Sequence, residues 1–283
     1  MRIDLHTHSR ASDGTQPPAE VMRSAREAGL DVVALTDHDT TLGWAEATDA
    51  VTREGVALVR GIEISCERGG TSIHLLGYLT DPEAPGLTGE ITKAREARVS
   101  RLERMVALMV ADGIPITYAE VLAQVPEGAT PGRPHIADAL VHKGVIAHRD
   151  EAFADWLSND SRFYVGHYAP DPVRAVELVV EAGGVAVHAH PFVRTAGRTV
   201  PDSLIEEMAA AGLGGVEVYH RDHDEEARAR GLALAARTGL FVTGSSDYHG
   251  TGKRNVLGEN TTTPEVLAQI EDRASGVTPV VRP

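Results

Sequence analysis

The chain has 283 residues, of which 42% are hydrophobic and 24% are charged, a balance typical of a folded globular protein rather than a disordered one. Its formal net charge is −14, from 41 acidic and 27 basic residues, which argues against a basic surface able to hold long nucleic acid. Aromatic residues make up only 4%, so the core must be built from aliphatic side chains, which suits buried parallel strands.

The sequence carries no feature of a secreted or membrane protein. Cys66 is the only cysteine, so an intramolecular disulfide cannot form. The first residues, Met1 to His6, are strand-like and polar, without the apolar stretch of a signal peptide. No segment approaches the roughly 20 apolar residues that a transmembrane helix requires. We therefore expect a cytoplasmic protein that does not associate with membranes.

Short apolar strands alternate with helical segments along most of the chain. The predicted strands are 2–6, 31–36, 56–62, 72–78, 184–189, 215–219 and 240–244. The predicted helices between them are 17–29, 41–54, 171–182, 202–212 and 223–238. The repetition of strand, loop and helix indicates an α/β fold with a parallel sheet wrapped by helices. Seven short apolar strands favour a closed (β/α)7 barrel over an open sheet.

This alternation is interrupted after the fourth predicted strand. Residues 88–112 predict one long amphipathic helix, and shorter helices are predicted near 117–124, 132–143 and 148–157. We therefore expect residues 1–80 and 171–283 to form the barrel, and residues 81–170 to form a helical insertion. Insertions of this kind lie over the carboxyl ends of barrel strands, where active sites are built.

Histidines and carboxylates recur near the ends of the predicted strands. His6 and His8 close the first strand, and because residues i and i+2 of a strand point the same way, both imidazoles can face one metal. The other candidates, in chain order, are Asp13, His38, Glu63, His74, His190, Asp247 and His249. A single buried histidine is usually a satisfied core group, but here ligand types recur at the same end of six of seven predicted strands.

These nine candidates exceed the three or four ligands of one tetrahedral zinc. They suit two or three divalent ions, with Glu63 and Asp247 as bridging carboxylates, and a set without thiolates suits manganese, iron or zinc alike. Such a site performs hydrolysis, because each ion lowers the pKa of bound water and two ions clamp the attacking and leaving oxygens. Phosphate esters benefit most, since their oxygens carry negative charge into the transition state.

Six ordered motifs resemble those of the PHP (polymerase and histidinol phosphatase) family. They are Asp4-Leu5-His6-Thr7-His8-Ser9, Thr36-Asp37-His38-Asp39, Gly61-Ile62-Glu63, His74-Leu75-Leu76-Gly77-Tyr78, Ala189-His190-Pro191 and Asp247-Tyr248-His249. Together they extend over nearly the whole chain. The resemblance implies a distorted seven-stranded (β/α) barrel with a trinuclear metal centre, in agreement with the predicted strands.

The resemblance also implies a role for each candidate. The first ion would be held by His6, His8, Glu63 and Asp247, the second by Glu63, His74 and His190, and the third by Asp13, His38 and His249. Asp13, Glu63 and Asp247 would be the catalytic carboxylates, and a hydroxide that bridges the metals would be the nucleophile. Within the insertion, Arg133-Pro134-His135 resembles a branch in which the arginine and histidine face the substrate phosphate, so Arg133 and His135 are the predicted substrate contacts.

The expected function is hydrolysis of small nucleotide-like phosphate esters, with nucleoside 3′,5′-bisphosphates as the leading substrates. A 5′-to-3′ exoribonuclease acting on short RNA and a cyclic phosphodiesterase are alternatives within the same family. An amidohydrolase-type deaminase or amidase is a different class, but its binuclear kind uses a carboxylated lysine on a barrel strand, and none of Lys93, Lys143 and Lys253 lies on a predicted strand. A non-catalytic PHP module often loses ligands, whereas all nine are present here. The sequence assigns no role to His188, His220 or His223.

Overall fold

The computed structural model describes residues 1–193 and 199–283, and at its centre is a sheet of seven strands in chain order. The strands are β1 (Ile3–Asp4), β2 (Val32–Leu35), β3 (Ala57–Arg68), β4 (Thr71–Tyr78), β5 (Val185–Ala189), β6 (Gly215–Tyr219) and β7 (Phe241–Gly244). Each matches one of the seven predicted strands. Four of the neighbouring pairs are parallel, namely β1 with β2, β2 with β3, β5 with β6, and β6 with β7.

The segments that follow β1 and β7 meet, so the sheet is nearly closed. The backbone N–H of His8 donates to the carbonyl of Tyr248 at 2.8 Å, and the N–H of Tyr248 donates to the carbonyl of His6 at 3.4 Å. On the same seam, the N–H of Thr262 donates to the carbonyl of Ile3 at 2.9 Å. The predicted class, a distorted (β/α)7 barrel, is confirmed.

β4 runs against both of its neighbours, which corrects the prediction of a uniformly parallel sheet. β3 continues past its predicted end at residue 62 as far as Arg68, and a turn at Gly69 and Gly70 then reverses the chain. Both glycines have positive φ (61° and 78°), the conformation that a two-residue type I′ hairpin turn requires. His74 consequently lies in the middle of an antiparallel strand, opposite Ser65, and not at the carboxyl end of a parallel one.

Helices surround the sheet and form the insertion. In the described residues they are α1 (Pro18–Glu27), α2 (Trp44–Glu54), α3 (Pro85–Ala111), α4 (Tyr118–Leu122), α5 (Arg133–His142), α6 (Arg149–Asp155), α7 (Pro172–Glu181), α8 (Asp202–Ala210), α9 (Glu225–Thr238) and α10 (Pro264–Arg273). Proline stands in the first turn of five of them, where its missing N–H removes no helical hydrogen bond. Among the described helices, none combines the length and the apolar composition needed to cross a bilayer.

Alternate residues of each strand pack on opposite faces of the sheet. In β2, Val32 and Ala34 belong to one buried cluster, whereas Val33 and Leu35 belong to another that includes residues of α1 and α2. This alternation follows from the two-residue period of a strand. Because both faces are covered, a strand such as β2 consists entirely of aliphatic residues, as the low aromatic content predicts.

The helices α3 to α6 bury a hydrophobic cluster of their own. Leu102 and Met105 of α3 pack in it with Ile136 and Leu140 of α5. The helices are also tied to the barrel, because the guanidinium of Arg149 donates to the carbonyl of Asp13 at 3.0 Å. The division of the chain at residues 81 and 170 remains a prediction that this separate packing supports. Below, residues 81–170 are called the cap.

Candidate metal centre

The nine predicted ligands converge at one end of the barrel. They follow β1 (His6, His8, Asp13), β2 (His38), β5 (His190) and β7 (Asp247, His249), or lie within β3 (Glu63) and β4 (His74). His74 reaches this group although β4 runs in the opposite direction, because it pairs with Ser65, two residues beyond Glu63 in β3. The nine residues therefore lie together as expected, although His74 belongs to an antiparallel strand and not to the end of a parallel one; their role as metal ligands remains a prediction.

Glu63 lies at the centre of the cluster, and its carboxylate contacts five histidines. Oε2 of Glu63 lies 3.0 Å from His8 Nε2, 3.2 Å from His6 Nε2 and 3.2 Å from His38 Nδ1, and its Oε1 lies 2.8 Å from His74 Nδ1 and 3.3 Å from His190 Nε2. The two oxygens thus face different groups of imidazoles. A carboxylate with this arrangement is suited to link two ions.

A second carboxylate, Asp247, faces His6 and His8. Its Oδ1 lies 3.4 Å from His6 Nε2 and 3.3 Å from His8 Nε2, and these two nitrogens are 3.1 Å apart. Two imidazole nitrogens at this distance either share a proton or present their lone pairs to a cation. His6, His8, Asp247 and Glu63 form a group whose candidate ligand atoms all lie within 4.8 Å of one another.

Asp13 contacts a third group of histidines, next to the group around Asp247. Its Oδ1 lies 3.3 Å from His249 Nε2 and 3.7 Å from His8 Nδ1, and its Oδ2 lies 3.9 Å from His38 Nε2. The residues that the family resemblance assigned to a third ion are therefore neighbours in the fold. His8 takes part in both groups, with its Nε2 toward Glu63 and its Nδ1 toward Asp13.

The protonation states of Glu63, His38 and His249 suit cation binding. Burial opposes the charge of Glu63, but His38, His74 and His6 outweigh it and hold the pKa of Glu63 well below its usual range. Burial lowers the pKa of His38 well below its usual range and that of His249 to about 4, so both rings are neutral and offer lone pairs.

Several ligand atoms also have no hydrogen-bond partner. Among the described residues, Glu63 Oε2, His38 Nδ1 and His249 Nε2 are buried, and their contacts at 3.0–3.3 Å do not have the geometry of hydrogen bonds. Leaving such atoms unsatisfied is costly, and divalent cations would satisfy them together. The imidazole and carboxylate donor set fits manganese, iron or zinc.

Comparison with known proteins agrees with this geometry. A family model described as PHP domain matches residues 4–122. A 3′,5′-nucleoside bisphosphate phosphatase of Chromobacterium violaceum is 36% identical over 251 residues, which cover 89% of this chain and 88% of that protein. The chain belongs to the PHP family. The resemblance of the ordered motifs is thereby confirmed.

Other PHP relatives differ in the reaction that their names describe. A phosphoribosyl 1,2-cyclic phosphate 1,2-diphosphodiesterase of Eggerthella lenta is 34% identical, and the match covers 88% of this chain and 95% of that protein. A 5′-3′ exoribonuclease of Haemophilus influenzae is 32% identical, and the match covers 88% of this chain and 90% of that protein. A crystal structure from Bifidobacterium adolescentis, described as a metal-dependent phosphoesterase, is 42% identical with a TM-score of 0.94 and covers 97% of both chains. The chain is a metal-dependent phosphoesterase.

The PHP barrel adds a carboxylate that the sequence analysis did not single out. Glu217 of β6 is fully buried; its Oε1 lies 3.3 Å from His6 Nδ1, and its Oε2 accepts the backbone N–H of His190 at 2.9 Å. A carboxylate behind a metal-facing histidine fixes the tautomer and orientation of the ring. The signal was present in the sequence, since Glu217 is a lone charged residue within an apolar strand.

Asp37 organises the loop after β1. Its Oδ1 accepts the N–H of Ser9 at 2.8 Å and the hydroxyl of Ser12 at 2.6 Å, and its Oδ2 accepts the hydroxyl of Ser9 at 2.7 Å. This loop carries Asp13, so Asp37 positions a predicted ligand without contacting the central group itself. The motif Thr36 to Asp39 thus contains one predicted ligand, His38, and one carboxylate that supports another.

Two of the predicted ligands have an unusual backbone conformation. His190 and Asp247 have positive φ, 31° and 54°, which residues other than glycine rarely adopt. Strained backbone of this kind persists where surrounding contacts determine it, and it clusters at functional sites. His190 directly follows β5, and Asp247 lies three residues after the end of β7.

A lysine and a further histidine lie at the open side of the cluster. Lys253 Nζ lies 2.7 Å from Asp247 Oδ2, and His220 Nε2 lies 3.7 Å from the same oxygen. Both line a cavity together with His38 and His74. The sequence alone predicts no place in the site for either Lys253 or His220.

The other two unassigned histidines have different surroundings. His223 is held by its neighbours, because its Nδ1 lies 2.9 Å from the carbonyl of Val218 and its Nε2 accepts the N–H of Phe192 at 3.2 Å. Both ring nitrogens of His223 are thus used in backbone contacts, which gives the residue a structural role. His188 is 1% exposed, and burial lowers its pKa to about 3, so it is a neutral core residue of β5.

The two predicted substrate contacts are placed differently. Arg133 lines the cavity next to the cluster, and its Nη1 donates to the carbonyl of Leu157 and to Oδ1 of Asn159, both at 2.6 Å. His135 is 3% exposed, and its Nδ1 accepts the N–H of Gly132 at 3.0 Å, at the start of α5. Arg133 therefore reaches the cavity, whereas the contact of His135 with substrate remains a prediction.

Proposed function

We propose that this chain hydrolyses one phosphate ester of a small nucleotide-like substrate, with nucleoside 3′,5′-bisphosphates as the leading case. The observation that carries the proposal is the cavity that joins His38 and His74 of the cluster to Arg133 of the cap. A guanidinium across a cavity from a metal-binding cluster suits a substrate with negative charge at both ends. The relative from Chromobacterium violaceum, whose name includes this substrate, supports the same proposal.

Two or three divalent ions, of manganese, iron or zinc, complete the site in this proposal. His6, His8, Glu63 and Asp247 would hold the first, Glu63, His74 and His190 the second, and Asp13, His38 and His249 the third. When bound, the ions supply Lewis acidity and activate water for attack on phosphorus. Asp13, Glu63 and Asp247 are the catalytic carboxylates of this scheme, since their charges balance those of the ions.

Basic residues would hold the substrate beside the ions. Burial opposes the charge of Lys253, but Asp247 and Asp13 outweigh it and raise its pKa, so the ammonium group is charged at neutral pH. From the cavity wall it can contact an oxygen of the reacting phosphate. The bonds of Arg133 Nη1 to Leu157 and Asn159 fix the guanidinium and leave its other N–H groups to bind phosphate or exclude water.

The structure bears on the rival classes as well. Lys93 lies in α3, Lys143 follows α5 and Lys253 follows the 3₁₀ turn Gly250–Gly252, so no strand carries the lysine that a binuclear amidohydrolase would carboxylate. A non-catalytic module has no use for nine converging ligands. Short RNA and cyclic phosphodiesters stay as alternatives, because two relatives bear those activities in their names. The net charge of −14 argues against long nucleic acid as a substrate.

The decisive experiment compares kcat/KM of the metal-loaded protein on four substrates. These are adenosine 3′,5′-bisphosphate, AMP, a 5′-phosphorylated RNA trinucleotide and a cyclic phosphodiester. We expect the bisphosphate to be the best of the four. If the bisphosphate and the RNA are both inert while another ester turns over, the nucleotide assignment is wrong. A Glu63→Gln protein purified in the same way controls for contaminating phosphatases, since it should lose all activity.

A further inference from the structure

Asp13 lies farther from a strand than any other of the nine predicted ligands. β1 ends at Asp4, nine residues earlier, and α1 begins only at Pro18. Strand pairing therefore does not fix Asp13, although its carboxylate lies 3.3 Å from His249 Nε2 and 3.9 Å from His38 Nε2. The loop that carries Asp13 needs other contacts to hold the carboxylate in this position.

The barrel fixes the residues on both sides of Asp13. Asp37 accepts the N–H of Ser9 and the hydroxyl of Ser12, and the N–H of Gly14 donates to the carbonyl of Ser9 at 2.9 Å. Within residues 1–193 and 199–283, however, no backbone group bonds to the N–H or the carbonyl of Asp13 itself. The barrel therefore shapes the loop but leaves the main chain of Asp13 without a backbone partner.

A guanidinium of the cap binds the carbonyl of Asp13. Nη1 of Arg149, the first residue of α6, donates to this carbonyl at 3.0 Å. Nε and Nη2 of Arg149 donate to Oδ1 and Oδ2 of Asp138 in α5, at 2.6 Å and 2.7 Å. A planar guanidinium that is held by both oxygens of one carboxylate has a fixed orientation. Asp138 thus directs the remaining nitrogen of Arg149 toward the loop that carries Asp13.

The segment after β7 leaves room for this guanidinium. A Cβ atom at Gly252 would overlap Nη1 of Arg149, so a larger residue at this position would displace the side chain. The N–H of Gly252 donates to the carbonyl of His249 at 3.3 Å, and the N–H of Thr15 donates to the same carbonyl at 3.1 Å. Arg149 therefore lies where the loops that carry Asp13 and His249 meet.

We propose that Arg149, oriented by Asp138, is a positioning residue that holds Asp13 toward His38 and His249. Through this contact the cap contributes to the third ion site, although none of the nine predicted ligands belongs to the cap. The inference rests on the proposed function, which assigns an ion to these three residues. Asp13 belongs to neither of the other two ligand sets, so the binding of the other ions does not depend on Arg149.

The metal content of Arg149→Gln tests this role. Each protein would be dialysed against a series of free Mn²⁺ concentrations, and the bound manganese would be measured by mass spectrometry. We expect one ion per chain to bind about 10- to 100-fold more weakly, the scale at which loss of an orienting partner lowers metal affinity, and the others to bind as in the native protein. Arg104→Gln is the matched control, because Arg104 donates to the carbonyl of Gly166 at 2.9 Å within the cap. Unchanged binding in Arg149→Gln, or equal weakening of all the ions, would overturn the inference.

Two other variants disturb the same contact without replacing Arg149. Asp138→Asn removes the charge that orients the guanidinium, and Gly252→Ala places a Cβ atom against its Nη1. We expect both to weaken the same single ion as Arg149→Gln does. Full affinity in both variants would overturn the positioning role, because the orientation of the guanidinium would then not matter.

Thermal unfolding distinguishes positioning of Asp13 from simple attachment of the cap. A residue that only attaches the cap would stabilise the metal-free and the metal-loaded protein equally. We expect instead that added Mn²⁺ raises the melting temperature of Arg149→Gln less than that of the native protein, because the variant binds one ion more weakly. Equal increases in melting temperature would show a purely structural role and overturn the inference.

Asp13→Asn separates a failure of this inference from a failure of the proposed function. If Asp13→Asn loses an ion and Arg149→Gln does not, only the inference is wrong. If Asp13→Asn loses no ion, the third ion of the proposed function is absent and the inference is overturned with it. If both variants lose the same ion but the native protein hydrolyses no nucleotide, the proposed substrate is wrong while the positioning role of Arg149 stands.

Discussion

Replacement of the two central carboxylates should remove different numbers of metal ions. Glu63 presents each oxygen to a different set of histidines, with Oε2 at 3.0 Å from His8 and Oε1 at 2.8 Å from His74. Asp247 presents only Oδ1 to His6 and His8, because Lys253 Nζ lies 2.7 Å from its Oδ2. Glu63→Gln should therefore weaken two ion sites, and Asp247→Asn should weaken one.

The expected size of the effect follows from the burial of these groups. Removing one partner of a buried charge pair costs about 3–5 kcal/mol, which weakens an ion's affinity by about 10²- to 10⁴-fold. Each variant would be dialysed against a buffer of fixed free Mn²⁺ at which the native protein is saturated, and bound metal would be measured by mass spectrometry. We expect Glu63→Gln to lose more than one ion per chain, and Asp247→Asn to lose no more than one.

A buried carboxylate far from the cluster provides the control for this experiment. Glu54 of α2 is 6% exposed and pairs with the exposed Arg53 at 2.7 Å and Arg26 at 2.9 Å, so Glu54→Gln also neutralises a buried, paired carboxylate but should leave the metal content unchanged. Full metal content in Glu63→Gln would refute the bridging role. Loss of more than one ion from Asp247→Asn would support the bridging role predicted from the sequence and refute the reasoning from Lys253.

Three further predictions concern the metals and the cap. Chelation should abolish phosphate release, and added Mn²⁺, Zn²⁺ or Fe²⁺ should restore it; full activity in metal-free protein would contradict the proposed chemistry. Glu217→Gln should weaken metal affinity by about 10- to 100-fold, as expected when a histidine loses its orienting carboxylate, and the exposed Glu46→Gln should leave it unchanged in the same titration. Arg133→Ala should retain its metals and lose about 2–3 kcal/mol in kcat/KM, the scale of a charge-assisted hydrogen bond. Unaltered kinetics on every substrate would show that Arg133 does not contact phosphate.

The sequence predicted most of the barrel because each strand has a local signal. Apolar segments such as Val32 to Leu35 alternate with helices, and polar ligands follow them at fixed positions. The reversal at β4 was missed, although Gly69 and Gly70 are a recognisable hairpin signal. The regular repetition of strand, loop and helix predicted a parallel strand here, in spite of the local turn signal. His74 was nevertheless included, because its identity and not the strand direction marked it as a ligand.

The parts of the site that the sequence did not reveal depend on contacts between distant segments. Arg101, which lines the cavity beside the cluster, lies in a helix that the sequence predicts as one amphipathic segment, and nothing local indicates that its Nε and Nη2 lack a hydrogen-bond partner among the described residues. Its surroundings include Tyr164, more than sixty residues later in the chain, whose ring centre lies 5.0 Å from the guanidinium. Glu217 differs, since a charged residue in an apolar strand is a local signal that could have been read.

The distribution of charge leads to a final prediction about substrate length. The chain has a net charge of −14, yet the cavity beside the cluster contains Arg98, Arg101, Arg133 and Lys253. Under the proposed function a small bisphosphate would lie wholly within this cavity, whereas each further phosphate of a longer RNA would lie outside it and be repelled by the negative surface. Because salt screens exposed charges over about 8–10 Å at 0.1–0.15 M, raising the ionic strength should reduce this repulsion. The ratio of kcat/KM for a 5′-phosphorylated trinucleotide to that for adenosine 3′,5′-bisphosphate should therefore increase with salt. A ratio that falls as salt rises would mean that attractive contacts hold the RNA outside the cavity, and the preference for small substrates would need another cause.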